Sequence, residues 1–227
     1  MNVEDNLREE LIRAGGIISY DIFSIEGEIS KLRFYFKTME GFIEKEEAEE
    51  AKRFEEYTRN LNDRQKSSFW ERNDPTPWDD IFLNTLRSSF LIVIVSYAET
   101  ILKTICRDVG IILRTTIKCN DLKGNIFERS RKFLDCFGKF DKPTDRVWEL
   151  INNIYYVRNV FVHNDGFMDD SGRSRLRQFI KESPGIYETN DSIKIEASFC
   201  YFALESISSF LLALRSEVRE LCNRVEI

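Results

Sequence analysis

The chain of 227 residues contains one histidine, His163, with Arg158 five positions before it and Asn159 next to the arginine. Imidazole can both accept and donate a proton near neutrality at its ordinary pKa. A guanidinium carries a permanent planar charge with several donors, which suits phosphoryl oxygens. These side chains together point to acid–base chemistry on a phosphodiester.

Such a trio needs a rigid support. Lys142-Pro143-Thr144-Asp145 reads as a helix start, and Val147, Leu150, Ile154, Val157 and Phe161 follow as one apolar stripe. The helix should end near His163, where Gly166 fits a C-terminal cap. Five helical residues turn through about 500°, so Arg158 and His163 point about 140° apart, while Asn159 and His163 are about 40° apart. One helix therefore offers a broad polar edge. Two such edges face to face would place two histidines and two arginines in one cleft.

The remaining periodicities predict more helices. Ile18, Ile22, Ile25, Ile29, Leu32, Phe36, Met39 and Ile43 follow a three–four spacing that continues to Leu61, with Glu47 and Glu50 on the same seam. Asp74-Pro75-Thr76-Pro77 breaks this long helix, and Pro77 starts a second that should reach about Val109. Phe90–Val95 is apolar throughout, which predicts a central helix covered on all sides. Residues 110–126 read as irregular and 127–137 as a short helix. Ile186–Glu188 and Ile193–Ile195, either side of Thr189-Asn190-Asp191-Ser192, predict a hairpin. An amphipathic helix from about Ser198 to Arg224 closes the chain, with Ala203, Ile207, Phe210, Leu214, Val218 and Leu221 inward. The expected fold is an all-α bundle with a long N-terminal helix and one small β-hairpin before the C-terminal helix. Residues 1–73 read as an acidic docking or dimerisation arm that is part of the bundle, and 74–227 as the domain holding the trio.

Composition excludes several classes. Five widely spaced cysteines without a C-x-x-C pair, and a single histidine, predict reduced thiols and no metal or other cofactor. Asp165, Asp169 and Asp170 lack the regular oxygen-ligand spacing of a calcium loop. No phosphate-binding G-x-x-x-x-G-K-[ST] loop is present. The N-terminus lacks an apolar signal core, and the longest strictly apolar run is the six residues Phe90–Val95, so a cytoplasmic chain without a membrane segment is expected. The net charge of −6 is uneven: residues 1–80 carry 20 acidic and 12 basic groups, 81–181 carry 11 and 17, and 182–227 carry 8 and 4. The basic third contains Arg158 and His163, which favours a polyanionic ligand.

Arg158-Asn159 with His163 late on a bundle helix resembles the motif of the HEPN superfamily (higher eukaryotes and prokaryotes nucleotide-binding helical domain). In that family an arginine, often followed by a polar residue, precedes a histidine by four to six positions. The resemblance extends over about residues 80–224 and includes the central helix, the closing helix and the hairpin of some prokaryotic branches. It implies a metal-independent endoribonuclease, a toxin or antiviral effector, whose motifs meet across a homodimer. A histidine would deprotonate a ribose 2′-OH, which attacks the adjacent phosphorus. A histidine would then protonate the leaving 5′-oxygen while Arg158 stabilises the phosphoryl charge and Asn159 orients the imidazole or holds the phosphate. The ends would be 2′,3′-cyclic phosphate and 5′-OH. The alternative is a catalytically silent module of this family that binds RNA, a nucleotide or a partner protein.

Around the motif, Arg173, Arg175, Arg177 and Lys181 are candidates to track an RNA backbone. Tyr97 and Glu99 on the central helix are candidates to support the motif from behind, Glu99 as a possible ion-pair partner of Arg158. A toxic nuclease needs restraint, which the acidic arm or an antitoxin-like protein partner docked on the basic third would supply.

Overall fold

The computed structural model describes residues 3–13, 22–72 and 78–225. Its elements are α1 (Val3–Arg13), α2 (Ile22–Thr58), α3 (Asp63–Arg72), α4 (Asn84–Ile112), α5 (Ile126–Phe133), α6 (Asp145–Asn164), α7 (Asp170–Glu182), the strands β1 (Ile186–Thr189) and β2 (Ser192–Ile195), and α8 (Ala197–Val225). A widely wound turn, Trp78–Leu83, leads into α4, and a similar one, Leu134–Gly138, extends α5. The protein is an all-α bundle with one antiparallel hairpin immediately before the last helix. The helix break expected at Asp74–Pro77 and the stripe residue Ile18 lie outside the described residues.

α4 is the hub and packs against α1, α2, α5, α6 and α8. On α8 the inward stripe is as its spacing indicates, with Ala203, Ile207, Phe210, Leu214, Val218 and Leu221 all buried. Uniform apolarity misleads on α4: Leu91, Ile94 and Val95 are buried, but Val93 is 49% exposed, so this helix is not covered all round. By length and composition, Ile81–Ile112 and α8 would each suffice to cross a bilayer. In the fold their apolar faces form the core.

The long helix α2 enters that core. Ile25, Ile29 and Phe36 are buried in the same cluster as α4 and α8. The Phe36 ring stacks on Phe90 at 4.3 Å and meets Tyr201 edge-on at 5.2 Å. One turn later Glu40 receives Arg87 of α4 through two bonds, Nε to Oε1 at 2.8 Å and a terminal nitrogen to Oε2 at 2.9 Å. Farther on, Phe54 meets Phe69 of α3 with centroids 5.6 Å apart, and the Trp78 indole donates to Glu50. The part of residues 1–73 nearest α4 is thus a bundle wall, and α3 packs on its far end.

α6 carries the motif, and its buried residues are Trp148, Ile151, Ile154, Val157 and Val160. The predicted stripe is thus buried at Ile154 and Val157, while Val147, Leu150 and Phe161 at its ends are only partly buried. Trp148, absent from that stripe, anchors the helix edge-on against Phe210 at 4.8 Å. At the C-terminus Asp165 takes the left-handed conformation (φ 50°, ψ 37°), followed by Gly166 at φ 88°. The Gly166 N–H closes on the Val160 carbonyl at 3.2 Å, and its own carbonyl accepts from the Ile193 N–H at 2.8 Å. The helix stop is thereby fixed to the hairpin. A Cβ on Gly166 would lie 3.2 Å from Ser192 Oγ and 3.3 Å from the Phe161 ring. Gly166→Ala should cost about 1–2 kcal/mol in urea unfolding, from positive φ and crowding. A loss below about 0.3 kcal/mol would show that the stop tolerates a side chain.

The hairpin turns at Asn190 and Asp191, both at positive φ (48° and 65°), the geometry of the tight turn that matches strand twist. Thr189 and Ser192 close it.

Candidate functional site

The motif residues face different surroundings. His163 sits in the last turn of α6 and is exposed. Among the described residues no hydrogen bond or ion pair engages it, so it does not cap the helix carbonyls. Arg158 is only 13% exposed at its side chain. One terminal nitrogen donates to Glu99 Oε1 of α4 at 2.5 Å, and the other donates to Asn159 Oδ1 at 3.0 Å. The Tyr155 ring lies 5.2 Å from its guanidinium carbon. Glu99 is therefore the ion-pair partner of Arg158, and Asn159 accepts from Arg158. Tyr97, two residues from Glu99 and so on the opposite side of α4, is half-buried and packs against the core.

A further set of residues shares the His163 face. Asn152, Tyr156, Asn159 and His163 recur at four, three and four positions, within about 60° of helix circumference. This stripe is legible in the sequence, since the spacing is that of one face of a helix, but it is overlooked when only arginine and histidine are weighed. α5 braces it: Asn125 Nδ2 donates to Asn152 Oδ1 at 2.9 Å and to the Tyr156 hydroxyl at 3.1 Å. The Tyr156 hydroxyl donates to Glu128 Oε1 at 3.2 Å. Asn125 and Glu128 also form the capping box of α5, which fixes both side chains before they reach α6. Burial pushes the Tyr156 phenol above its ordinary pKa, with the Asn125 hydrogen bond opposing, so it stays a neutral donor.

The four basic candidates on α7 separate. Arg175 is brought to the stripe, its guanidinium carbon 3.3 Å from the centre of the Tyr156 ring. Arg177 and Lys181 are exposed, four residues apart on one face of α7. Arg173 is committed elsewhere: it donates to Glu188 at 2.6 Å and to Asp191 at 2.7 Å, and lies 3.5 Å from Asp170. These carboxylates raise its pKa, the Glu188 hydrogen bond most of all. It ties α7 to the hairpin, and little of its charge is left for a phosphate. If this surface tracks RNA as the sequence leads one to expect, Arg173→Ala should leave RNA affinity nearly unchanged in a filter-binding titration, whereas Arg175→Ala should weaken it about 3–10-fold. The opposite order would return Arg173 to the binding surface.

Comparison with protein-family models, with curated proteins and with solved structures finds no match for this chain.

Proposed function

We propose that this protein is a metal-independent endoribonuclease of HEPN type, with His163 as the acid–base group. The observation that carries this reading is an exposed histidine, unengaged among the described residues, at the end of a braced polar stripe. Arg175 lies over the middle of that stripe, roughly 10 Å along the helix from His163, and supplies a cation beside the path of a strand. Val162 and Phe167, 44% and 57% exposed, flank His163 and supply apolar surface for a second copy. Two stripes across such a homodimer would provide one histidine to take the 2′-OH proton and one to protonate the leaving oxygen. The cytoplasm, a toxin or antiviral role, and an antitoxin-like partner belong to the same proposal.

The Glu99 ion pair favours a second reading, a silent module that binds RNA or a partner, because the guanidinium is neutralised before any phosphate arrives. Incubating the purified protein with mixed cellular RNA in EDTA, beside DNA, separates the two. Fragments with 2′,3′-cyclic phosphate and 5′-OH ends, and intact DNA, support the enzyme. RNA retained but uncut supports the module.

A further inference from the structure

α1, the end of α4, the loop 113–120 and α5 line a cavity of about 770 Å³. Its apolar lining includes Ile111, Ile126 and Phe133. Its cations are Arg8, Lys103, Arg107, Arg114 and Lys118, against Asp5 as the carboxylate in the lining. Arg114 is paired with Asp5, Arg107 with Asp108, and Arg8 donates to the Ile112 carbonyl. Lys103 and Lys118 are exposed and have no ion pair among the described residues, so the cavity keeps an excess of positive charge.

Two thiols line this cavity, Cys106 of α4 and Cys119 of the loop. Both border the same cavity, and Cys119 Sγ is 3.4 Å from the Ser130 hydroxyl. Donation from Cys106, then from Ser130, with the Arg129 charge, lowers the Cys119 thiol to about 6 against the opposing effect of burial. Cys106 moves the other way, raised by its bond to Cys119 and by burial. One sulfur is poised as thiolate and the other as a resolving thiol, the pairing that thiol–disulfide chemistry uses.

We propose that this cavity is a thiol–disulfide exchange site for small anionic disulfides, with Cys119 as the attacking sulfur and Cys106 as the resolving one. Cys119 Sγ bonds to one sulfur of the bound disulfide, whose S–S bond breaks and releases the first thiolate. Cys106 Sγ then attacks Cys119 Sγ, its proton passes to the second departing thiolate, and a Cys106–Cys119 disulfide remains. The small disulfide is reduced by the two electrons that the cysteine pair loses. The rim cations recognise the carboxylates of such a compound, and the apolar floor takes its uncharged part. This proposal is independent of the ribonuclease reading.

The test uses the full chain, reduced and then freed of reductant, with oxidised glutathione as the anionic disulfide and cystamine as the cationic one. Cys136 is an exposed thiol in the same molecule and serves as the internal reference. The Cys119-to-Cys136 rate ratio, followed by peptide mass mapping, should be at least about tenfold higher with glutathione disulfide than with cystamine. The wild type should end about 2 Da lighter at the cavity, as two hydrogens are lost. Cys106→Ser should stop at the glutathione adduct on Cys119, and Cys119→Ser should give neither product. Equal ratios for the two reagents, modification of Cys136 with Cys119 untouched, or a lasting adduct in the wild type would each overturn it. The wild-type mapping decides even where a serine variant folds poorly.

Discussion

His163→Ala should reduce RNA cleavage by about 10²–10⁴-fold while leaving the fold intact, the range that a positioned proton-transfer group supplies. The side chain is exposed and touches no hydrogen-bonding partner among the described residues, so its removal opens no cavity and orphans no buried group. Stability should therefore stay within about 0.5 kcal/mol of wild type. Cleavage and urea unfolding are measured on the same preparation. Undiminished cleavage with normal stability would remove His163, the chain's one histidine, from the chemistry and with it the HEPN-type mechanism. Retained RNA binding with lost cleavage would place the defect in proton transfer.

Arg158 calls for a different expectation. In one protomer its charge is neutralised by Glu99 and steered by Asn159. On the proposed mechanism, Arg158 would serve the reaction only as part of an ion-pair assembly that RNA or a second copy reorganises. Arg175 has no such carboxylate partner among the described residues and is held by an aromatic face, which leaves its donors available. The Arg158-Asn159-His163 spelling places the candidate site at the end of α6. The cation most open to a phosphate comes from the next helix, and only the fold brings it there.

Local signals were readable where local chemistry decides the structure. Asn190-Asp191 makes the hairpin turn because both residues tolerate left-handed backbone. The α8 face is fixed by a regular period between strongly polar flanks. Contacts distant in sequence decided the rest. Glu99 and Arg158 are 59 positions apart, and Arg173 meets Asp191 18 positions away. Glu99 is legible as a candidate partner of Arg158, but no window of sequence reveals that Arg173 is already paired. Val93 illustrates another limit: within Phe90–Val95 every residue is apolar, so the pattern has no period from which to tell which side faces out. On α6 the predicted stripe holds at Ile154 and Val157 and misses at its ends, where Trp148, Ile151 and Val160 are buried; Val147 and Trp148 are both apolar, and the larger ring took the core.

Glu40 is the strongest case of a long-range contact, and its substitution should have the largest effect on stability. It is 6% exposed on the helix that forms the bundle wall, and among the described residues Arg87, 47 positions later, is the cation that pairs with it. The pair is bidentate, the geometry in which guanidinium and carboxylate satisfy each other's donors and acceptors. Glu40→Leu leaves the guanidinium, itself 19% exposed, without this counter-charge, and should cost about 3–5 kcal/mol in urea unfolding. Replacing both residues, Glu40→Leu with Arg87→Met, removes the two desolvation costs together and should recover most of that loss. The recovery distinguishes a paired charge from a merely large side chain. If the single variant loses less than about 1 kcal/mol, water reaches the pair and α2 is held by Phe36 and its neighbours alone. If the double variant is no better than the sum of the singles, the two side chains act independently. On the expected outcome, this ion pair joins the acidic helix to the hub helix, and α2 cannot detach as an arm without breaking it.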